Sequence, residues 1–184
     1  MKMTIKNVRM AFPAIFQPQA VGDGEPAYGA KFIVPTDHPQ VADIRKAIAS
    51  VATTQWNDKA PSVLKLLQAD KKVAWVEGEY INKNGEPYDG FEGTFHVSSR
   101  SAKTKPTAFD LANRPVTEAD GLIYSGAYVD AAIEFYAQDN KWGRRINCGL
   151  RGVRFAGHGE SFGGGAAASA DDFGAPSALE DDFV

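Results

Sequence analysis

Two long alternating segments, 126–137 and 144–155, constrain the fold of this chain more than any other feature. They are joined by residues 138–143, a stretch rich in turn formers. Alternation of apolar and polar residues is typical of strands with one buried face and one open face. The pair predicts a β-hairpin whose core residues are Ala127, Val129, Ala131, Ile133, Phe135, Ile146, Cys148 and Leu150.

The opposite face of this hairpin is polar, aromatic and partly cationic. Tyr128 and Tyr136 fall on it, and Trp142 lies in the turn. If the strands pair antiparallel, the tyrosines share an open surface with arginines of the second strand, in a register that the sequence leaves open. The arginines of this segment are Arg144, Arg145, Arg151 and Arg154.

The N-terminal part of the chain predicts two strands. Segment 4–12 mixes β-branched and polar residues as a strand does, and Pro13 and Pro18 are predicted to bracket a loop after it. Segment 28–34 alternates around one wholly apolar face, which predicts the second strand.

A helical insertion follows these strands. Apolar residues at helical spacing predict a helix over 38–56, opened by a capping box between Asp37 and Gln40. Pro61 opens a second, shorter helix, because the first helical turn tolerates a residue without an N–H.

The chain then returns to strands. Asn84-Gly85 predicts a tight hairpin between 75–82 and 91–101. A loop dense in cations and turn formers comes next, and it contains Arg100, Lys103 and Lys105.

Charge is divided unevenly along the 184 residues. Residues 156–184 contain six carboxylates and no lysine or arginine, whereas residues 1–155 contain all 20 basic residues and the other 17 of the 23 acidic ones. The first part therefore carries +3 and the second −6. We expect one domain over 1–155 and a disordered Gly/Ala-rich linker with an acidic tail over 156–184.

The cysteine content and the apolar segments of the sequence bear on the cellular compartment and on membrane association. One cysteine, Cys148, excludes a disulfide framework within the monomer and is typical of a reducing compartment. The sequence contains no secretory signal and no apolar run long enough to cross a membrane. These observations predict a cytoplasmic protein that does not bind membranes.

Exposed aromatic rings among cations suit single-stranded nucleic acid, because bases stack on the rings while phosphates contact the cations. An aromatic residue in a strand is more often part of the core, and Phe32, Phe95 and Phe135 are assigned there. The predicted DNA-binding residues are Arg100, Lys103, Lys105, Tyr128, Tyr136, Trp142, Arg144, Arg145 and Arg151.

Catalytic and metal-binding patterns are not found in the sequence. His38, His96 and His158 lie far apart, and no phosphate-binding glycine loop, nucleophile elbow or zinc-protease motif occurs. We expect no enzyme activity, no cofactor and no metal. Two alternatives stay open: an accessory virion or assembly β-domain protein, and a metal-dependent nuclease using carboxylate pairs such as Asp43 with Glu77 or Asp130 with Glu134.

The tail repeats one pattern, an acidic pair followed by phenylalanine. It occurs at 171–173 and again as Asp181, Asp182 and Phe183. A tail that only solubilises the protein has little use for large apolar side chains, whereas an acidic peptide with an aromatic anchor fits an apolar pocket ringed by cations. We interpret Asp181, Asp182 and Phe183 as a partner-binding element.

Several short blocks, in order, resemble phage single-stranded DNA-binding proteins once catalogued as a domain of unknown function. The blocks are residues 88–100, Lys105-Pro106, 124–129 and 149–153. The resemblance covers most of 3–155. It implies an OB-fold, a five-stranded Greek-key β-barrel, here with a helical insertion.

The resemblance also implies a function. It predicts a sequence-independent single-stranded DNA-binding protein of phage replication or recombination. Its acidic tail would compete with DNA for the groove and recruit a polymerase, helicase or nuclease, although Val184 beyond Phe183 departs from tails whose terminal phenylalanine carboxylate is gripped by partners. A homodimer is left open.

Overall fold

The computed structural model describes residues 1–163. The described chain folds mainly into strands, with two α-helices inserted between the second and third of them. The elements are β1 (Lys2–Gln19), β2 (Ala27–Pro35), α1 (Val41–Trp56), α2 (Ala60–Ala69), β3 (Trp75–Val76), β4 (Thr94–Ser101), β5 (Thr107–Phe109), β6 (Tyr128–Asn140) and β7 (Gly143–Gly157).

Five of the strands close into a barrel. Their order is β4-β2-β1-β6-β7, and a parallel pairing between Arg100 of β4 and Gly149 of β7 joins the two ends. Strand β3 extends the sheet beside β4, and β5 pairs in parallel with β7. This arrangement confirms the predicted five-stranded barrel with a helical insertion.

The β6–β7 hairpin also confirms its prediction. Its strands pair antiparallel from Tyr128↔Gly157 to Asn140↔Gly143, so the turn is only Lys141-Trp142 and is shorter than predicted. Arg151 has no partner between Ala132↔Gly152 and Ile133↔Leu150 and forms a bulge. The apolar faces of both strands are buried in the barrel, as the alternation predicts.

The loop predicted between Pro13 and Pro18 is wrong. Strand β1 runs through both prolines and pairs first with β6 and then with β2. Its register shifts between Ala11 and Ala14, where Phe12 has a φ of 51°. A bulge tolerates proline because the residues inside it leave the hydrogen-bonding ladder.

The helices pack their apolar faces onto the barrel, with Ile44, Ile48 and Leu67 buried. Helix α1 begins three residues later than predicted, and its capping box does not form. The Gln40 side chain instead bonds β1, accepting from the Lys6 N–H at 2.8 Å and donating to the Thr4 carbonyl at 2.9 Å. Tertiary contact with β1 thus replaces the local cap.

The predicted hairpin around Asn84-Gly85 is confirmed at its turn and in the antiparallel pairing of β3 with β4, but its first strand is only Trp75–Val76 and does not extend to residue 82. Gly85 has a φ of 82°, and the turn is closed by a bridge between Ile81 and Pro87. Residues 77–93, here called the covering loop, leave the sheet and lie over the outer faces of β1 and β2. There Phe91 is fully buried against Ala11 and Ile33, and this apolar contact draws the segment away from β4.

Packing against the barrel continues beyond β7. The Phe162 N–H donates to the Ser125 carbonyl at 3.0 Å, and the Arg9 guanidinium lies 4.0 Å from the centre of the Phe162 ring. Gly126, with a φ of 110°, meets the Glu160 backbone so closely that a side chain would not fit. The compact unit therefore reaches seven residues past the predicted boundary at 155.

Candidate nucleic-acid interface

Two neighbouring grooves open along β4 and share Ser98 and Arg100 of that strand. The first, here called the hairpin groove, has a volume of about 640 Å³. It lies between the β6–β7 hairpin and the segment that leads into β3. Its lining includes Lys71, Lys72, Ser98, Arg100, Tyr136, Gln138, Trp142, Arg145 and Asn147.

The hairpin groove combines open rings with positive charge. Trp142 is 77% exposed at the turn, and Tyr136 is 49% exposed on the outer face of β6. The lining residues, all within the described 1–163, include four cationic side chains and no carboxylate. Such a surface attracts anions and offers ring faces for stacking.

The hairpin register explains why these groups meet. Tyr136 is opposite Asn147, and Gln138, two residues further on, is opposite Arg145. Residues two apart in a strand share a face, so the Tyr136 ring and the Arg145 guanidinium project from the same side. The turn places Trp142 at the end of that face, where its backbone N–H donates to the Asn140 side-chain oxygen at 2.9 Å.

The second groove, here called the aromatic groove, has a volume of about 690 Å³ and lies between the β1–β2 connection and the covering loop. Tyr80 and Tyr88 stack with ring centres 5.0 Å apart, and Phe12 meets Tyr88 edge-on at 5.2 Å. The left-handed backbone at Phe12 turns its ring outward, leaving it 49% exposed. The lining includes Phe12, Glu25, Tyr28, Lys31, Tyr80, Tyr88, Ser98 and Arg100.

Lys31 lies at the inner wall of the aromatic groove. Its ammonium donates to the Ser98 hydroxyl at 2.5 Å and lies 3.9 Å from the centre of the Tyr80 ring. Within residues 1–163 it forms no ion pair with a carboxylate. Burial without a counter-charge lowers the pKa of Lys31 to about 8.

His96 is buried beneath the same groove, between Tyr80 and Phe91. Its Nδ1 lies 2.8 Å from the Gly78 carbonyl. The pKa of His96 is lowered to about 4, chiefly by burial; the hydrogen bond to Gly78 opposes this shift, and the nearby charge of Lys31 adds a smaller contribution to it. A neutral imidazole is therefore part of the packing at neutral pH.

Four of the nine predicted DNA-binding residues come together in the hairpin groove. They are Arg100, Tyr136, Trp142 and Arg145. The other five lie outside the lining of both grooves and stay predictions: Lys103, Lys105, Tyr128, Arg144 and Arg151.

Each of these five has a definite place in the described chain. Lys103 and Lys105 are exposed in the loop after β4, and Arg151 is exposed at the β7 bulge. Arg144 forms an ion pair with Asp139 at 3.1 Å, and Tyr128 lies 5.6 Å from the Arg9 guanidinium. The predicted tail residues Asp181, Asp182 and Phe183 lie outside the described residues.

In each of the two carboxylate pairs proposed for a nuclease, one carboxylate is engaged in an ion pair with an arginine. Glu77 accepts two hydrogen bonds from Arg45 at 2.6 and 2.7 Å, which hold the pKa of its carboxyl below the usual value. Asp130 pairs with Arg154. In the portion of the chain that the structure describes, no group of three or more His, Cys, Asp or Glu residues is placed to hold a metal ion, and no helix could span a membrane.

Comparison with known proteins decides the family. The model of the single-stranded DNA-binding protein family of Enterobacter phage Enc34 matches residues 1–184. The chain belongs to this family. The match confirms the resemblance found in the sequence.

Relatives and solved structures agree with the Enc34 family assignment. Putative protein p50 of Acyrthosiphon pisum secondary endosymbiont phage 1 is 34% identical over 177 residues, covering 94% of this chain and 92% of the relative. The bacteriophage Enc34 single-stranded DNA-binding protein in complex with single-stranded DNA has a TM-score of 0.65 at 24% identity, covering 88% of this chain and 89% of that one. The bacteriophage T7 single-stranded DNA-binding protein gp2.5 has a TM-score of 0.59 at 14% identity, covering 100% and 98%. These likenesses show a shared fold.

Several groove residues of this Enc34-family chain were missed by sequence reasoning. Lys71 and Lys72 follow α2 and carry no pattern beyond two adjacent charges. Phe12 stands beside Pro13, a position that could have indicated a bulge with an outward ring. Tyr80 and Tyr88 flank the Asn84-Gly85 turn, and that symmetry was a usable signal for a paired aromatic surface.

Proposed function

We propose that this protein binds single-stranded DNA without sequence preference and without catalysing a reaction, in phage replication or recombination in the host cytoplasm. The observation that carries the proposal is the hairpin groove, where Trp142 and Tyr136 are exposed beside four cations. Stacking on an aromatic ring is worth about 1–3 kcal/mol per base and is open to every base, because each has a π-face.

The place of the groove in the barrel supports the proposal. OB-folds bind oligonucleotides across their second and third barrel strands and the loops between strands 1 and 2 and between strands 4 and 5. In this barrel those strands are β2 and β4, and the second of those loops is Lys141-Trp142. Both grooves therefore open where this fold class receives nucleic acid.

Preference for single strands follows from the exposed rings. A duplex keeps its bases stacked on each other, whereas a single strand can splay its bases onto Trp142 and Tyr136. The predicted cations outside the groove, Lys103, Lys105 and Arg151, would extend the positive surface toward neighbouring phosphates. Each phosphate neutralised on a single strand contributes about −0.7 to the slope of log affinity against log salt.

A gel shift with a labelled oligo-dT of about 30 nucleotides tests the proposal. We expect a retarded band that weakens at the higher of two salt concentrations and yields to unlabelled single strands but not to duplex. Equal competition by duplex would contradict binding by stacking. Lanes with magnesium or manganese should leave the oligonucleotide intact, and its degradation would favour a nuclease.

Paired substitutions locate the phosphate-binding surface. Arg100→Ala with Lys105→Ala should weaken binding about tenfold at low salt and make the salt slope shallower. The control is Lys46→Ala with Lys65→Ala, which removes the same charge from exposed helix positions away from both grooves. Equal affinities for the two double variants would reject the cationic loop as a phosphate site.

We also propose that the acidic tail competes for the groove and that Asp181, Asp182 and Phe183 bind replication or recombination proteins. A shortened chain should end at Gly163, because packing against the barrel continues to Phe162. It should bind oligo-dT more tightly than the full chain at low salt, and the difference should shrink as salt rises. Identical affinities at low salt would remove the competition.

A further inference from the structure

The ammonium of Lys31 is largely buried and, among residues 1–163, has no carboxylate partner. Its contacts are one hydroxyl, that of Ser98, and the face of the Tyr80 ring. A buried charge ordinarily has a counter-ion, because desolvation is otherwise unfavourable. Its position on the wall of an open groove makes an anionic ligand the natural counter-ion.

The surroundings of Lys31 define the chemistry of that ligand. Tyr80, Tyr88 and Phe12 form a cluster of rings around one side of the groove, and Arg100 stands where it meets the hairpin groove. An anion flanked by ring faces matches a nucleotide unit, with one phosphate and one base. Ser98 and Arg100 line both grooves, so a single strand could pass from one to the other without leaving β4.

Resting on the proposed function, we propose that Lys31, Phe12, Tyr80 and Tyr88 form a second nucleotide subsite, in which the Lys31 ammonium binds a backbone phosphate and the rings stack on the adjoining base. Above about pH 8, where Lys31 of the free protein has lost its proton, binding there takes one up, because the phosphate stabilises the charged lysine. The strand would run from Trp142 past Arg100 to Tyr88.

Several other charged and titratable groups surround Lys31. Tyr80 and Tyr88 face it from the covering loop, His96 and Arg100 from β4, and Glu25 from the β1–β2 connection. Burial raises the pKa of Tyr80 and lowers that of His96 to about 4, whereas the pKa of Lys31 is about 8. Lys31 is therefore the group expected to titrate at mildly alkaline pH.

The test measures oligo-dT affinity between about pH 7 and pH 9.5 for wild type, Lys31→Arg and Lys31→Met. Wild-type affinity should fall about tenfold across this range as Lys31 loses its proton before binding. Lys31→Arg should bind with little pH dependence, because arginine stays charged. Lys31→Met should bind about tenfold more weakly than wild type at pH 7, also without the pH dependence.

The thermal stability of Lys31→Met distinguishes the loss of a phosphate contact from damage to the fold. The folded state lowers the pKa of Lys31, so the charged lysine opposes folding at pH 7. Lys31→Met should therefore raise the thermal midpoint while it weakens DNA binding, a combination that misfolding does not produce. Lys83→Met removes a lysine from the exposed turn of the covering loop and should change affinity less than twofold.

The outcomes distinguish the two proposals. If wild type fails to bind oligo-dT, the proposed function falls. If wild type binds but Lys31→Met matches Lys83→Met in affinity and the pH profile is shared by Lys31→Arg, the function stands and the second subsite is refuted.

Discussion

The two grooves both present aromatic rings and cations, but different structural elements support these groups. The hairpin groove takes its rings and Arg145 from two adjacent strands and their turn, and its charges are open to solvent. The aromatic groove collects Phe12, Lys31 and Tyr88 from distant parts of the chain and rests on a small apolar cluster under the covering loop. The hairpin groove thus takes its rings and Arg145 from neighbouring parts of the chain, whereas the aromatic groove depends on packing between distant segments.

The largest expected effect is a loss of stability when the packing beneath the aromatic groove is disrupted. Phe91→Ala removes the fully buried ring between Ala11 and Ile33 and should lower the free energy of unfolding by about 3–5 kcal/mol. Chemical denaturation measures this loss. Phe12→Ala removes an equal but half-exposed ring and serves as the control, with a smaller loss; equal losses would show that the covering loop is not held by Phe91.

The next largest expected effect is a loss of DNA affinity at the hairpin groove without a change in the stability of its strands. Trp142→Ala should weaken oligo-dT binding by about 1–3 kcal/mol, because the exposed indole loses a stacked base. Fluorescence anisotropy with a labelled oligonucleotide measures it, and the thermal midpoint should stay near wild type. Leu111→Ala changes another exposed apolar residue and should leave the affinity unaltered. An unchanged affinity for Trp142→Ala would move the stacking site elsewhere.

A third expected effect is a pH dependence of stability that comes from His96 beneath the aromatic groove. His96 has a folded-state pKa of about 4 against an ordinary value of 6.5, so the unfolded chain takes up a proton first as pH falls. Its contribution to stability is complete above about pH 6.5 and is lost as pH falls toward 4. Thermal unfolding should show a decline on the order of a few degrees that is smaller in His96→Gln. Parallel curves for the two proteins would refute this assignment.

The smallest effect concerns a predicted cation near the hairpin groove. Arg144→Ala should change oligo-dT affinity by less than about threefold, because its guanidinium already pairs with Asp139 and lies outside the groove lining. Arg145→Ala, its neighbour inside the groove, should weaken binding several-fold more. Anisotropy titrations of both variants at one salt concentration make the comparison, and the reverse order would contradict the register-based assignment.

The same contrast explains what the sequence could predict. The alternation of β6 and β7 predicted their pairing and their buried faces, and it put Tyr136 and Arg145 on the open face in a register that the sequence left open. Nothing local indicated that β1 continues through Pro13 and Pro18, or that Gln40 bonds β1 instead of capping α1. These outcomes depend on partners far away in the sequence, and so does the position of the covering loop, which packs on Ala11 and Ile33.

Closure of the barrel depends on a short seam. Strands β4 and β7 are paired at Arg100↔Gly149, whereas the β6–β7 ladder continues along nearly the whole of both strands. Arg100 stands at this seam and also where the two grooves meet. A DNA strand bound along both grooves would hold β4 against β7 at this short pairing. Bound DNA would therefore slow amide hydrogen exchange at the seam and raise the stability of the protein against unfolding.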